Sequence, residues 1–207
     1  MTPDPHPPGT ARPITIAIMA MGGQGGGVLA DWIVGLAEAG GWVAQTTSVP
    51  GVAQRTGATI YYVELIRPQQ RNSRPVLSLM PVPGDVDIVI AAELMEAGRA
   101  IQRGLVTPDK TTLIASSHRS LAVLEKASPG DGRADSAAVL QTAAATARRF
   151  LHADMRAMAE AQGSVISATL FGALAGSAAL PFAREDFEAT IRAAGVGVNA
   201  SLRAFAA

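Results

Sequence analysis

The chain has no cysteine. Disulfides, thiolate-held iron–sulfur clusters and a cysteine nucleophile are therefore excluded within its 207 residues. Histidine is scarce: His6, His118 and His152 stand far apart, without the helical or loop spacing of a zinc site. Aromatic residues make up 4%, so the core must be built mainly from Ala, Val, Leu and Ile. Net charge is absent, with 17 Lys and Arg against 17 Asp and Glu. That balance provides no basic stripe for nucleic acid and no global steering toward a membrane. A charged fraction of 16% with no net charge is poor for the solubility of a free monomer, which hints at a partner. No run of eighteen apolar residues occurs, so no membrane span is expected. Met1–Pro13 is proline-rich and lacks the apolar centre of a signal peptide, so it reads as a disordered lead-in, with the cytoplasm as the expected compartment.

What is present is a globular composition, 48% hydrophobic, and one pronounced local pattern. An apolar run, Ile16–Met21, meets five glycines in the six positions 22–27 and then an apolar helical stripe: Val28, Leu29, Trp32, Ile33, Leu36 and Ala37. Strand, glycine turn and helix in that order leave bare backbone N–H groups at a helix N-terminus. Such a turn can hold an anionic group or admit another backbone or cofactor closely.

Strand patterns fall at Ile14–Met19, Trp42–Thr46, Ala58–Ile66, Val86–Ala92 and Thr111–Ser116, with weaker candidates at Val76–Met80 and Leu121–Glu125. Helices are expected at Gly26–Ala39, Glu93–Arg103, Asp135–Arg148, Asp154–Gln162, Ser164–Leu180, Arg184–Ala194 and Val196–Ala206, with turns at Thr47–Gly57 and Ser128–Asp135. Strands alternating with helices, followed by a helical C-terminal third, predict a single α/β domain over 14–207: a doubly wound, Rossmann-like, mostly parallel sheet.

A dinucleotide fingerprint places Gly at i, i+2 and i+5, and here those positions hold Ala20, Gly22 and Gly25. It also places an acid at the end of the second strand, where this chain has Gln45, Thr46, Thr47 and Ser48. A P-loop is excluded because no Lys-Ser/Thr follows the turn. A second constellation, Val49–Gly57, carries Gln54 and Arg55. In an open sheet the loops at the carboxyl ends of the strands share one crevice, so this loop should lie beside the turn. Gln54 could then offer an amide, and Arg55 a cation, to a phosphate or carboxylate near Gly22–Gly25. Arg55 pairing locally is the other reading. His118 and Arg119, just after a strand, face the same crevice or pair locally. Glu93 is either a crevice acid or a first-turn acid of its helix. His152, Met95 and Met158 read as structural, Gly130-Asp131-Gly132 as a surface turn, and the GxxxG pair Gly172 and Gly176 as close helix packing.

Together, Met21-Gly22-Gly23-Gln24-Gly25-Gly26 and Gly51–Gly57 resemble the gamma-type domain of 2-oxoacid:acceptor oxidoreductases, in particular indolepyruvate oxidoreductase beta subunits. Asp85–Val89 before Glu93, the Glu125-Lys126 step, Leu170–Ala175 and Asn199–Phe205 extend the likeness over about Ile14–Ala207. Ala20 and Thr56 depart from the family's glycines. The resemblance implies a complex that oxidatively decarboxylates a 2-oxoacid, here an indolepyruvate or other arylpyruvate, to an acyl-CoA, with ferredoxin as acceptor. Thiamine diphosphate, magnesium and iron–sulfur clusters would sit on a companion alpha subunit. This chain would dock on that partner and form the coenzyme A side of the site through Gly22, Gly23, Gln24, Gly25, Gly26, Gln54 and Arg55, with no catalytic residue and no metal ligand of its own. A stand-alone nicotinamide dehydrogenase and a non-catalytic assembly subunit remain as alternatives, as do a free subunit and a piece of a longer fusion.

Overall fold

The computed structural model describes residues 12–50, 58–68, 75–120 and 135–207. Gln54, Arg55, the Leu121–Glu125 strand candidate, Glu125-Lys126 and Gly130–Gly132 lie outside the described residues.

Six strands form one sheet: β1 (Ile14–Met21), β2 (Val43–Pro50), β3 (Ala58–Ile66), β4 (Ile88–Ala91), β5 (Thr112–Ser116) and β6 (Arg149–Ala153), in the order β2-β3-β1-β4-β5-β6. β1, β4, β5 and β6 pair in parallel, whereas β3 runs antiparallel to both β1 and β2. The described helices are α1 (Gly26–Ala39), α2 (Leu94–Gln102), α3 (Ser136–Thr146), α4 (Met155–Ala161), α5 (Ile166–Gly176), α6 (Arg184–Ala194) and α7 (Val198–Ala206). The doubly wound, mostly parallel expectation holds, with an antiparallel β3 set between the first two strands.

Alternation along the central strands sorts two cores. Ile16, Ile18, Ile88 and Ile90 face α1, α5, α6 and α7, while Ala17, Met19, Val89 and Ala91 face α2 and α3. Each fully buried Leu or Ile contributes about 1.5–3 kcal/mol relative to exposure, so the central strands are the most firmly held part of the fold. The few aromatics are concentrated on the first face: Phe171 lies 5.4 Å from Trp32, 4.8 Å from Phe187 and 6.1 Å from Phe205, centroid to centroid.

Three local expectations are corrected. β2 continues through Pro50 rather than ending at Thr46, because its residues 43–50 register fully against β3. The Val76–Met80 segment is not a strand. It is held by side chains instead: Gln45 Nε2 donates to Ser78 O (3.1 Å), Thr47 Oγ1 to Leu79 O (2.6 Å), and Ser78 N to Glu64 Oε2 (2.7 Å). Arg149–Ala153, left unassigned between the expected helices Asp135–Arg148 and Asp154–Gln162, is strand β6, recruited by parallel pairing with β5. Among the described residues no helix is long and apolar enough to cross a membrane.

Candidate functional site

The chain reverses its direction of winding between β1 and β4, and the carboxyl ends of these strands open a crevice. A cleft of about 330 Å³ occupies it, lined by Met21–Gln24, His118, Ser120, Arg156, Glu160 and Ser164–Ile166. Two clefts of about 430 Å³ lie elsewhere: an apolar one between β6, α5 and α7, and one beside Arg12, Lys110, Arg148 and Arg149 at the opposite end of the sheet. Of these three clefts, the one of about 330 Å³ joins the glycine turn to the strand ends.

The turn is locked from within. Gln24 N donates to Met21 O (3.1 Å), and Met21 N donates to Gln24 Oε1 (2.8 Å). Part of the Gln24 amide is thus spent on holding the turn. Gly23 (φ 84°) and Gly25 (φ 68°) occupy the left-handed region, which the turn requires and which favours glycine. Gly22 and Gly23 are exposed, with nothing near the place of a side chain. Gly26 is buried under Tyr61 and Ala20. Gly25 is the N-cap of α1, without a side-chain cap and without an acid in the first turn. The N–H groups of Gly26, Gly27 and Val28 therefore have no helical acceptor.

Gln54 and Arg55 lie between Pro50 and Ala58. Ala58 registers with Met21, and Pro50 with Thr59, so the loop's two anchors stand at the end of the sheet where the glycine turn begins.

His118 lines the cleft. Its Nδ1 lies 2.8 Å from Ser116 Oγ, which accepts a hydrogen bond from Met155 N (3.1 Å). The Ser116 hydroxyl can donate its proton to His118 Nδ1 while accepting from Met155 N, an arrangement that makes Nε2 the N–H position. Nε2 is buried and has no partner among the described residues. Burial, then the nearby Arg156, lower the His118 pKa from 6.5 and favour the neutral ring. Local pairing and a crevice-facing position are thus both realised. Arg156 Nε bonds Glu160 Oε1 (2.7 Å) at the exposed rim.

Glu93 serves its helix as the N-cap of α2, one position ahead of the first turn, where Glu96 is the acid. Its carboxylate caps α2, accepting from Glu96 N (3.0 Å) and Ser120 N (3.4 Å), and burial raises its pKa. His152 stacks on Phe150 at 4.8 Å. Gly172 packs against the Phe205 backbone within the chain. Gln45 and Thr47, where a nicotinamide enzyme carries its acid, are spent on residues 78 and 79.

Sequence reading missed the head of α5 and Ser167. Ser167 is fully buried, its Oγ has no partner among the described residues, and a Cβ on Gly25 would lie 3.1 Å from that oxygen. The available signal was the start of the Ser164–Leu180 segment, where Val165 sits in place of a polar cap.

The profile of the pyruvate ferredoxin/flavodoxin oxidoreductase family matches residues 15–207. No curated protein matches the chain. Among solved structures, the chain is similar to pyruvate oxidoreductase subunit PORC from Thermotoga maritima (TM-score 0.61, 15% identity, covering 94% of this chain and 93% of that one). It is similar to a keto/oxoacid ferredoxin oxidoreductase gamma subunit from Geobacter sulfurreducens (TM-score 0.56, 16% identity, 95% and 96% covered). It is also similar to a 2-oxoglutarate:ferredoxin oxidoreductase from Magnetococcus marinus with 2-oxoglutarate, coenzyme A and succinyl-CoA bound (TM-score 0.60, 14% identity), where it covers 94% of itself but spans only 30% of that chain. At these identities the likeness establishes the fold.

Proposed function

The chain belongs to the pyruvate ferredoxin/flavodoxin oxidoreductase family, and on that footing we propose that it is the subunit forming the coenzyme A side of a 2-oxoacid oxidoreductase. The reaction would convert a 2-oxoacid and CoA to an acyl-CoA and carbon dioxide, passing two electrons to a ferredoxin-type acceptor. We assign an arylpyruvate as the 2-oxoacid from the sequence resemblance alone. Thiamine diphosphate, magnesium and iron–sulfur clusters belong to a companion alpha subunit in this reading and supply the decarboxylation and electron transfer when bound.

The observation that carries the reading is the glycine turn ahead of the uncapped head of α1, whose Gly22, Gly23 and Gln24 line a cleft at the carboxyl ends of the strands. Fixed N–H dipoles there attract an anionic group without rearranging. Gln54 and Arg55, on the loop anchored beside the turn, would add an amide and a cation. Their work is orientation and charge neutralisation, which lowers the cost of bringing the CoA thiol to the reacting carbon.

The experiment is coexpression with the companion subunit, followed by steady-state rates as CoA is varied. Arg55→Ala should assemble normally and raise KM for CoA about tenfold, with a smaller change in kcat. A complex with Arg55→Ala and Gly22→Ala that keeps the wild-type CoA dependence and rate would overturn the positioning role and leave an assembly subunit.

A further inference from the structure

One wall of the cleft is held from behind. Residues 117–120 leave the sheet after β5, and His118 and Ser120 line the cleft. Among the described residues, three main-chain groups of this segment bond to neighbouring elements. Ser117 N donates to Ala153 O (2.8 Å) at the end of β6. The other two bonds go to one place, the start of α2. Leu94 N donates to His118 O (3.1 Å), and Ser120 N donates to Glu93 Oε2 (3.4 Å).

Glu93 is an unusual residue for this position. N-caps favour the shorter Ser, Thr, Asp and Asn, whose oxygen turns back onto the first free amides of the helix. α3 and α4 follow that rule, with Asp135 and Asp154 capping from exposed positions. At α2 the side chain is one methylene longer and its two oxygens serve two segments. Oε1 accepts from Glu96 N (3.0 Å) inside the helix, and Oε2 reaches Ser120 N outside it. Glu93 is also fully buried, which a cap alone does not require and which disfavours its charge. The charge is met from the side. Arg99 bonds Glu96 Oε1 and stands 3.9 Å from Glu93 Oε1, so it offsets the carboxylate and leaves Glu93 Oε2 to the loop.

We propose that Glu93 is a positioning residue of the cleft: its carboxylate brackets the head of α2 to Ser120 and so holds the His118–Ser120 wall in place opposite the glycine turn. This rests on the proposed function and deepens it, because the wall borders the space assigned to CoA. Glu93 does not itself line the cleft; it acts through the segment it holds.

The test is Glu93→Asp, which keeps the charge and the favoured capping chemistry and withdraws the reach to Ser120. In the ¹⁵N-labelled full chain, the Ser120 amide should exchange with solvent at least about tenfold faster than in wild type, and the Glu96 amide should change less than about threefold. Tm should fall by about 2–4 °C, the effect of one lost buried methylene, which shows that the variant folds. In the complex coexpressed with the companion subunit, the same variant should raise KM for CoA about three- to tenfold and keep kcat within about twofold. Glu96→Gln alters the same buried pair without touching the loop bond, and should match wild type in Ser120 exchange and in KM for CoA.

Wild-type Ser120 exchange in Glu93→Asp, or Ser120 and Glu96 amides loosening together, would reduce Glu93 to a helix cap and overturn the inference. A loosened Ser120 with an unchanged KM for CoA would overturn it too, because the wall would then take no part in the site. None of these outcomes touches the proposed function, which fails on different grounds, by CoA kinetics of the assembled complex that ignore Arg55 and Gly22.

Discussion

The ring of Tyr61 lies so close to Gly26 that a Cβ there would sit 2.6 Å from Tyr61 Cε2 and 2.7 Å from Ala20 Cβ. β3 thus reaches over the first turn of α1 and fixes the helix head against the sheet. Gly26→Ala should destabilise the fold by about 1–3 kcal/mol through overpacking. Gly22→Ala, with open space around it, should change stability by less than about 0.5 kcal/mol. Urea midpoints of the two variants check this; equal midpoints would mean that the turn relaxes freely.

At Gly172 the obstacle is main chain. A Cβ would meet the Phe205 carbonyl oxygen at 2.2 Å, so α5 and α7 touch through backbone at this point. Gly172→Ala should cost about 3 kcal/mol, at the upper end of overpacking effects. Gly176→Ala, one turn on, meets nothing within 4 Å and should leave Tm close to wild type.

The Ser116–His118 contact predicts a tautomer and a titration. ¹⁵N shifts should report His118 as the Nε2–H form, with a midpoint below 6.5. A pKa lowered by folding adds stability above the unfolded value, and that stability is lost as pH falls through the folded value. Ser116→Ala should release the tautomer preference and leave this acid sensitivity in place, because burial and Arg156 cause it. A midpoint above 6.5 would contradict the burial of the ring.

Glu96 is fully buried; Arg99 bonds its Oε1, while Oε2 has no partner among the described residues. Burial raises its pKa above 4.5, a rise that Arg99 opposes and Glu93 reinforces. A carboxyl raised in the fold contributes stability below its unfolded pKa, and that contribution is lost as pH climbs through the folded value. The contribution of Glu96 should therefore decline from 4.5 upward, opposite in sign to that of His118, and Glu96→Gln should remove this share of the pH dependence. Urea unfolding across that range checks it, and a slope unchanged by the substitution would place the titration elsewhere.

Much of the architecture was legible locally. α1, β3 and α6 fall on the segments their periodicity marks, because each carries its own stripe or alternation and its own stop. β6 was not legible. Arg149–Ala153 is short, half-exposed and set between two alanine-rich helices, so nothing in its own residues favours strand over helix. Its conformation comes from the hydrogen bonds that β5 offers. β2 likewise runs on to Pro50 because β3 continues beside it.

The amino-acid order alone determined the glycine turn, the absence of thiolate chemistry and the family, since these depend on residue types at fixed spacing. Only the tertiary structure decided that the heads of α1 and α5, about 140 residues apart in the chain, face one space. It also decided that His118 is held by Ser116 and that β3 runs against its neighbours. Contacts between distant segments follow from how a whole sheet closes its two cores, and no local pattern encodes that.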